Sequence, residues 1–162
     1  MFIKTFGLFW RRDEVAWNPG IGHSFRLLGR NRDRNPGLWL SDFREQTGIY
    51  ILYGNHGAHY VGLTGSSLAQ RLKSHNDWKE EWDRFSWFGF RTVLSGSDES
   101  LHRLGAMANV KIANMTEVIT DVEALLIRAM GLTNLRTTGF TDAEEWYQVK
   151  KHEADTFLAR CE

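Results

Sequence analysis

Two short runs of strand-forming residues, separated by a turn, constrain the fold of this chain more than any other feature. The first run, Ile49-Tyr50-Ile51-Leu52-Tyr53, ends at Gly54-Asn55-His56-Gly57, and the second run, His59-Tyr60-Val61-Gly62-Leu63, follows at once. β-branched and aromatic residues bounded by glycine and asparagine are typical of strands joined by a tight turn. The sequence therefore predicts a β-hairpin.

Helical and strand patterns continue after the hairpin. The segment Thr64-Gly65-Ser66-Ser67 supplies N-cap candidates for a first helix over about 66–75, and residues 85–94 are rich in strand formers. Residues 116–130 form the strongest helical pattern, which Gly131 ends. Its apolar stripe consists of Val118, Val122, Leu125, Leu126 and Ala129. Residues 97–113, weakened by Gly105, and residues 142–158 also favour helix.

Composition and charge narrow the class of protein. The 162 residues include 42% apolar and 25% charged side chains, as expected for one folded domain. Twenty basic and twenty acidic residues leave no net charge, which argues against a protein that coats nucleic acid by charge alone. The single cysteine, Cys161, can form no internal disulfide, and the N-terminal run has no signal-peptide pattern. We expect a cytoplasmic protein without a membrane span.

The hairpin motifs and two later helices together resemble a known family. Gly48-Ile49-Tyr50 lies on the first predicted strand, and Tyr60-Val61-Gly62 follows on the second after nine intervening residues. Arg71-Leu72-Lys73-Ser74-His75 lies on the next helix, while Glu123 lies within the strongest helix and Asn134 follows it. These elements, in this order, resemble the GIY-YIG endonuclease superfamily over about residues 48–135.

The resemblance implies an architecture and a division of the chain. The fold class is α/β, with a small three-stranded antiparallel sheet flanked by helices, an N-terminal extension and a C-terminal helix. We expect residues 1–47 to pack on or beside the core, residues 48–135 to form the nuclease core, and residues 136–162 to form a helical tail. The sequence of the N-terminal extension is rich in turn-forming residues. We expect this extension to be either an added layer on the catalytic core or an arm that contacts the substrate.

The resemblance also implies a metal-dependent phosphodiester hydrolase, with DNA preferred as substrate. Glu123 is then the ligand of one Mg²⁺ or Mn²⁺ ion, because such ions take one or two carboxylates beside waters and phosphate oxygens. Arg71 would hold the scissile phosphate with its fork of donors. Tyr50 and Tyr60 would position or activate the attacking water, and His75 would relay a proton or hold a phosphate. We expect Gly62, Thr64, Lys73 and Asn134 to contact the substrate.

One departure from the family pattern leaves a second function open. Some family members carry a lysine directly after the second motif, whereas Leu63 stands there in this chain. A catalytically silent module that binds nucleic acid or protein is therefore the alternative to a small stand-alone nuclease. The role of such a nuclease remains open among defence, repair, mobile-element and toxin functions, with a homodimer or an immunity partner as possible associations.

The candidate side chains also have ordinary structural explanations. Strand tyrosines are often packing residues, Arg71 can be a solvated helix charge, His75 can be a packing residue, and Glu123 can pair with an arginine. The cluster Arg26, Arg30, Arg32 and Arg34 can line a phosphate backbone or simply face solvent. A set of aromatic residues favours packing over base stacking: Trp78, Trp82, Trp87 and Phe88.

Overall fold

The structure is a computed structural model, and it describes residues 2–18, 25–31, 40–78, 81–94, 101–107, 115–131, 139–140 and 142–160. The strands in these ranges are β1 (Thr5–Arg11), β2 (Leu28–Arg30), β3 (Leu40–Asp42), β4 (Gly48–Gly54), β5 (Gly57–Thr64), β6 (Arg84–Gly89), β7 (Arg91–Val93), β8 (Leu101–His102), β9 (Leu104–Met107), β10 (Glu144–Glu145) and β11 (Tyr147–Gln148). The helices are α1 (Leu68–Asp77), α2 (Met115–Met130) and α3 (Lys151–Arg160), and Arg12–Glu14 forms a 3₁₀ turn.

The predicted hairpin lies at one edge of a five-stranded sheet with the order β10-β1-β6-β4-β5. Strands β4 and β5 are antiparallel, with Tyr50 opposite Gly62. The hairpin is therefore confirmed, and β6 lies antiparallel beside β4 as the third predicted strand. The α/β class also holds, but the expectation of only three strands is wrong. Strands β1 and β10 extend the sheet beyond β6 because the apolar residues of β1 bury against it.

Helices α1 and α2 cover opposite faces of this sheet. Successive strand residues point to opposite faces, and on β4 Tyr50 belongs to the core cluster that contains Leu72 of α1. Its neighbour Ile51 belongs to the cluster that contains Leu125 and Ala129 of α2. The sheet therefore separates the two helices.

Helix α2 agrees with its predicted range, but its buried face differs from the predicted stripe. Gly131 ends the helix with φ +63°, in the left-handed conformation that favours glycine. Of the predicted stripe, Leu125 and Ala129 are buried, whereas Val122 and Leu126 are exposed. None of the helices in the described ranges has the length and apolar character needed to cross a bilayer.

A second sheet, with the order β11-β2-β3-β8, joins segments from both ends of the described chain. Its core cluster includes Leu28, Leu40, Val149 and Ala154, so α3 packs on this sheet. The predicted helix over 142–158 is wrong in its first part, since β10 and β11 precede α3. The backbone N–H of Trp146 donates to Phe6 O at 2.8 Å, and this pairing with β1 replaces helical bonds there.

The helix predicted over 97–113 is wrong where the structure describes the chain. Strand β8 pairs in parallel with β3, and β9 pairs antiparallel with β7 in a two-stranded sheet. His102 is buried on β8, with its Nδ1 2.9 Å from Leu94 O. Long-range strand pairing therefore overrides the local helical preference. Residues 95–100 and 108–114 lie outside the described ranges.

Candidate active site

Tyr50 and His75 form a hydrogen-bonded pair on the α1 face of the sheet. Tyr50 is 1% exposed in the middle of β4, and its Oη lies 2.9 Å from Nε2 of the half-buried His75. Either group is the donor, depending on which imidazole nitrogen carries the proton. The bond fixes the imidazole ring against the sheet and connects two groups that can exchange a proton.

Tyr60 places a second phenol beside the same imidazole. Its ring centroid lies 4.6 Å from that of His75 and 6.0 Å from that of Tyr50. Tyr60 is 43% exposed, so solvent reaches this residue beside the buried pair. The structure therefore brings together three predicted site residues from two strands and one helix.

The two motif glycines lie where neighbouring groups leave no room for a side chain, Gly62 against Tyr50 and Gly48 against Phe88. A Cβ at Gly62, directly across the hairpin, would collide with Cζ and Oη of Tyr50 and would lie 2.7 Å from its Cε1. A Cβ at Gly48 would collide with the carbonyl oxygen of Phe88, and Gly48 has φ +151°. Gly62, which we predicted to contact substrate, thus provides the space that the Tyr50 ring occupies.

Helix α1 places Arg71 on the same side as His75. Ser67 caps the helix by accepting a hydrogen bond from Gln70 N at 3.2 Å, and Leu72 buries the helix against the sheet. Arg71 precedes His75 by four residues, and side chains at that spacing share a face. Arg71 is exposed, and its guanidinium makes no ion pair within the described part of the chain. It is thus placed to receive an anion next to the imidazole.

Thr64 and Lys73, two other predicted substrate contacts, make structural interactions. Thr64 is buried, and its Oγ1 accepts a hydrogen bond from Ser67 N at 3.1 Å in the turn before α1. Lys73 forms an exposed ion pair with Asp77 at 3.3 Å. It lies two residues from His75, on the other side of the helix. Asn134 lies outside the described residues.

Glu123 lies apart from this cluster. It is exposed on α2, whose packing residue Leu125 contacts the opposite face of the sheet. A separation of two residues places Glu123 about 200° around the helix from Leu125, so it points away from the sheet. The buried carboxylate of α2 is instead Asp121, which accepts hydrogen bonds from Phe2 N at 2.8 Å and Ile3 N at 3.2 Å.

This placement does not fit a metal held between Glu123 and the tyrosines. Among the described residues, no group of three or more histidine, cysteine, aspartate or glutamate side chains converges on one point. The sheet also stands between Glu123 and the Tyr50–His75 pair. We therefore derive no catalytic step through a metal ion.

The remaining groups define a class of site. An exposed arginine, an exposed phenol and a phenol–imidazole pair can hold a phosphate group and accept a proton, which are the needs of phosphoryl transfer. Residues 46–94, which contain β4, β5, α1, β6 and β7, match the model of a family described as the GIY-YIG catalytic domain. This segment is therefore similar to the GIY-YIG catalytic domain, in agreement with the resemblance carried by the hairpin motifs. Searches of curated proteins and of solved structures found no significant match.

Proposed function

We propose that this chain is a nuclease that hydrolyses phosphodiester bonds in nucleic acids, with DNA preferred over RNA. The observation that carries the proposal is the 2.9 Å contact between Tyr50 and His75 inside the segment that matches the catalytic domain. Tyr60 and Arg71 next to the pair supply further groups for a phosphate and a water molecule. The preference for DNA and a divalent metal requirement rest on the family alone.

The Tyr50–His75 pair supports a proton-acceptor role in this reaction. A phenol ordinarily has a pKa of about 10 and is a poor base at neutral pH, whereas an imidazole accepts protons there. In the proposed step, a water molecule gives its proton to the pair while its oxygen bonds to phosphorus. The bond from phosphorus to the leaving oxygen breaks, and that oxygen takes a proton from solvent.

Arg71 and Tyr60 support the reaction from the exposed side of the pair. The guanidinium carries two parallel donors that match two phosphoryl oxygens and stabilise their growing charge. Tyr60 is exposed, and its ring lies 4.6 Å from that of His75, so its hydroxyl is the group we assign to orienting the attacking water. In this scheme the buried Tyr50 orients the imidazole and does not contact the substrate.

The proposal is tested by incubating supercoiled plasmid, single-stranded DNA and single-stranded RNA with Mg²⁺, with Mn²⁺ or with chelator. We expect metal-dependent cleavage by the wild type and a loss of about 100- to 1,000-fold in Arg71→Ala, because one charge-stabilising group is removed. Arg160→Ala, on exposed α3, is the matched control and should cleave normally. Nicked rather than linear plasmid as the first product would indicate one active site per encounter.

The same assay tests whether Glu123 takes part in the reaction. Complete loss of cleavage in a folded Glu123→Ala protein would support the metal ligand that the family resemblance implies. Retained cleavage would remove Glu123 from the site, in agreement with its position on the outer side of α2.

The alternative of a silent binding module rests on Leu63, which is 65% exposed on β5. Folded wild type that binds DNA and cleaves none of the substrates would favour this module over the nuclease.

A further inference from the structure

A cleft of about 640 Å³ opens where the end of β1, the start of β6 and the last turn of α1 meet. Its volume falls in the range of pockets that bind small organic groups. The lining side chains that matter here are Arg11, Arg12, Trp17, Asn76, Trp82 and Arg84. Three of these come from the N-terminal segment outside the matched catalytic domain. The cleft is therefore a feature of this chain rather than of the matched domain alone.

Arg12 is held rigidly in the wall of this cleft. Its Nε donates to Asn76 Oδ1 at 2.8 Å, its Nη1 to Trp82 O at 2.9 Å, and its Nη2 to Asn76 O at 3.2 Å. The guanidinium carbon lies 4.4 Å from the centre of the Trp82 ring. A guanidinium stacked and hydrogen-bonded in this way presents a fixed, flat and positively charged surface.

Trp17 supplies a fixed aromatic surface beside that cation. Its ring stacks on Phe25 with centroids 5.3 Å apart and meets Trp82 edge-on at 5.9 Å. The indole Nε1 donates to Arg12 O at 2.9 Å. Unpaired nucleobases stack on aromatic rings and on arginine planes, so these side chains form a surface suited to a base.

Arg11 and Arg84 place two further cations at the rim. Both are exposed, and each is ion-paired with a neighbouring aspartate, Asp13 or Asp83, that also borders the cleft. Exposed ion pairs are weak, so a phosphate can replace an aspartate as partner. The cleft is lined by three arginines and two aspartates, so its net charge is small. A small positive charge is suited to one local phosphate contact and not to binding along the backbone of duplex DNA.

The cleft adjoins the candidate active site. Asn76, which holds Arg12, is the residue directly after His75 on α1. On the sheet, Phe85, directly after Arg84, pairs with Leu52 of β4, which lies two residues from Tyr50 in the same core cluster. A strand bound at the Tyr50–His75 pair can therefore continue into the cleft.

We propose that this cleft binds one unpaired nucleotide of a nucleic-acid strand, with the base against Trp17 and Arg12 and the phosphate at Arg11 or Arg84. The proposal rests on the proposed nuclease function and names its preferred substrate as a strand with unpaired nucleotides near the cleaved bond. A base inside a duplex is shielded by its neighbours and cannot reach a recessed ring without leaving the stack.

The test is binding of a fluorescent single-stranded oligonucleotide and of the matching duplex, in chelator, so that no cleavage occurs. We compare the wild type, the double variant Arg11→Glu/Arg84→Glu and the control Arg160→Glu, and we check folding by thermal unfolding. The double variant should bind the single strand at least about ten-fold more weakly, and its slope of log affinity against log salt should fall by about 0.7 per lost phosphate contact. Binding to duplex should change by a smaller factor.

Three results would overturn the inference: equal losses in the double variant and in Arg160→Glu, equal losses for single strand and duplex, or a mononucleotide that binds as tightly as the strand. Cleavage separates this inference from the proposed function. If the wild type cleaves and the double variant binds normally, the cleft assignment fails while the nuclease stands. If the wild type binds single strands through the cleft but cleaves nothing, the nuclease proposal fails instead.

Discussion

At the scale of single residues, Gly62 determines where the Tyr50 ring lies. Gly62→Ala would place a methyl group against the phenol, so the ring must move and the 2.9 Å contact with His75 is lost. We expect nuclease activity to fall by at least about ten-fold, within the usual range for a displaced proton-transfer group. The measurement is plasmid cleavage, with thermal unfolding to confirm that the variant is folded.

Gly65→Ala is the matched control for this substitution. Gly65 is exposed in the turn before α1, and a Cβ there meets nothing within 4 Å. The control should cleave as well as the wild type. Equal activity of the two alanine variants would show that the position of the Tyr50 ring does not matter to the reaction.

At the scale of elements, one phenol links β4 to α2. The Tyr53 hydroxyl donates to Ala129 O at 2.8 Å, and burial raises the pKa of Tyr53 above its ordinary value of 10.0. The folded state therefore favours the neutral phenol. Its contribution to stability is present below pH 10 and is lost as pH rises through the raised pKa. Tyr53→Phe should lower the free energy of unfolding by about 1 kcal/mol at pH 8.

The pH dependence distinguishes this bond from simple packing. Between pH 8 and pH 11, the wild type should lose more stability than Tyr53→Phe, which has no phenol to ionise. Urea unfolding at both pH values gives the comparison. Tyr60→Phe, which removes an exposed hydroxyl, should match the wild type in stability at pH 8. Parallel pH curves for wild type and Tyr53→Phe would contradict the prediction.

A second connection ties α2 to the residues before β1. Asp121→Ala would leave the N–H groups of Phe2 and Ile3 without their carboxylate acceptor, and Ile3 is completely buried. We expect a loss of about 1–3 kcal/mol in the free energy of unfolding. Glu123→Ala, on the exposed side of the same helix, should change it by no more than about 0.5 kcal/mol. Denaturant unfolding of both variants is the measurement, and equal losses would contradict the assigned burial.

The elements that the sequence predicted are those with local signals. The hairpin β4–β5, helix α1 and helix α2 each carry their own periodicity. Glycines lie in the turn of the hairpin and at the end of α2, and the capping serine Ser67 precedes α1. Strands β1, β8 and β10 were missed because their pairing partners lie far along the chain. The motif predicted that Tyr50, Tyr60 and His75 lie close together. It did not predict that Glu123 lies on the outer face of α2. No local sequence pattern predicted the hydrogen bonds between Arg12 and Asn76.

At the scale of the whole molecule, the N-terminal segment is part of the central sheet rather than an appendage. Strand β1 lies between β10 and β6, and Trp10 is 2% exposed in the core cluster that also contains Tyr50 and Leu72. The Trp10 indole N–H donates to Trp146 O at 3.1 Å, joining this segment to the later strands. The matched segment 46–94 therefore lacks part of the surface that buries its own strands.

A chain that begins at residue 46 should consequently fail to fold, even though it retains every side chain of the candidate active site. Removing β1 exposes the free edge of β6 and takes Trp10 out of the core. Trp10→Ala in the full chain should by itself cost about 3–5 kcal/mol, because a large buried ring is lost. Circular dichroism and thermal unfolding of both proteins test this dependence. Cooperative unfolding of the truncated chain, together with retained cleavage, would mean that the catalytic domain folds without β1 and that the N-terminal segment serves only the cleft.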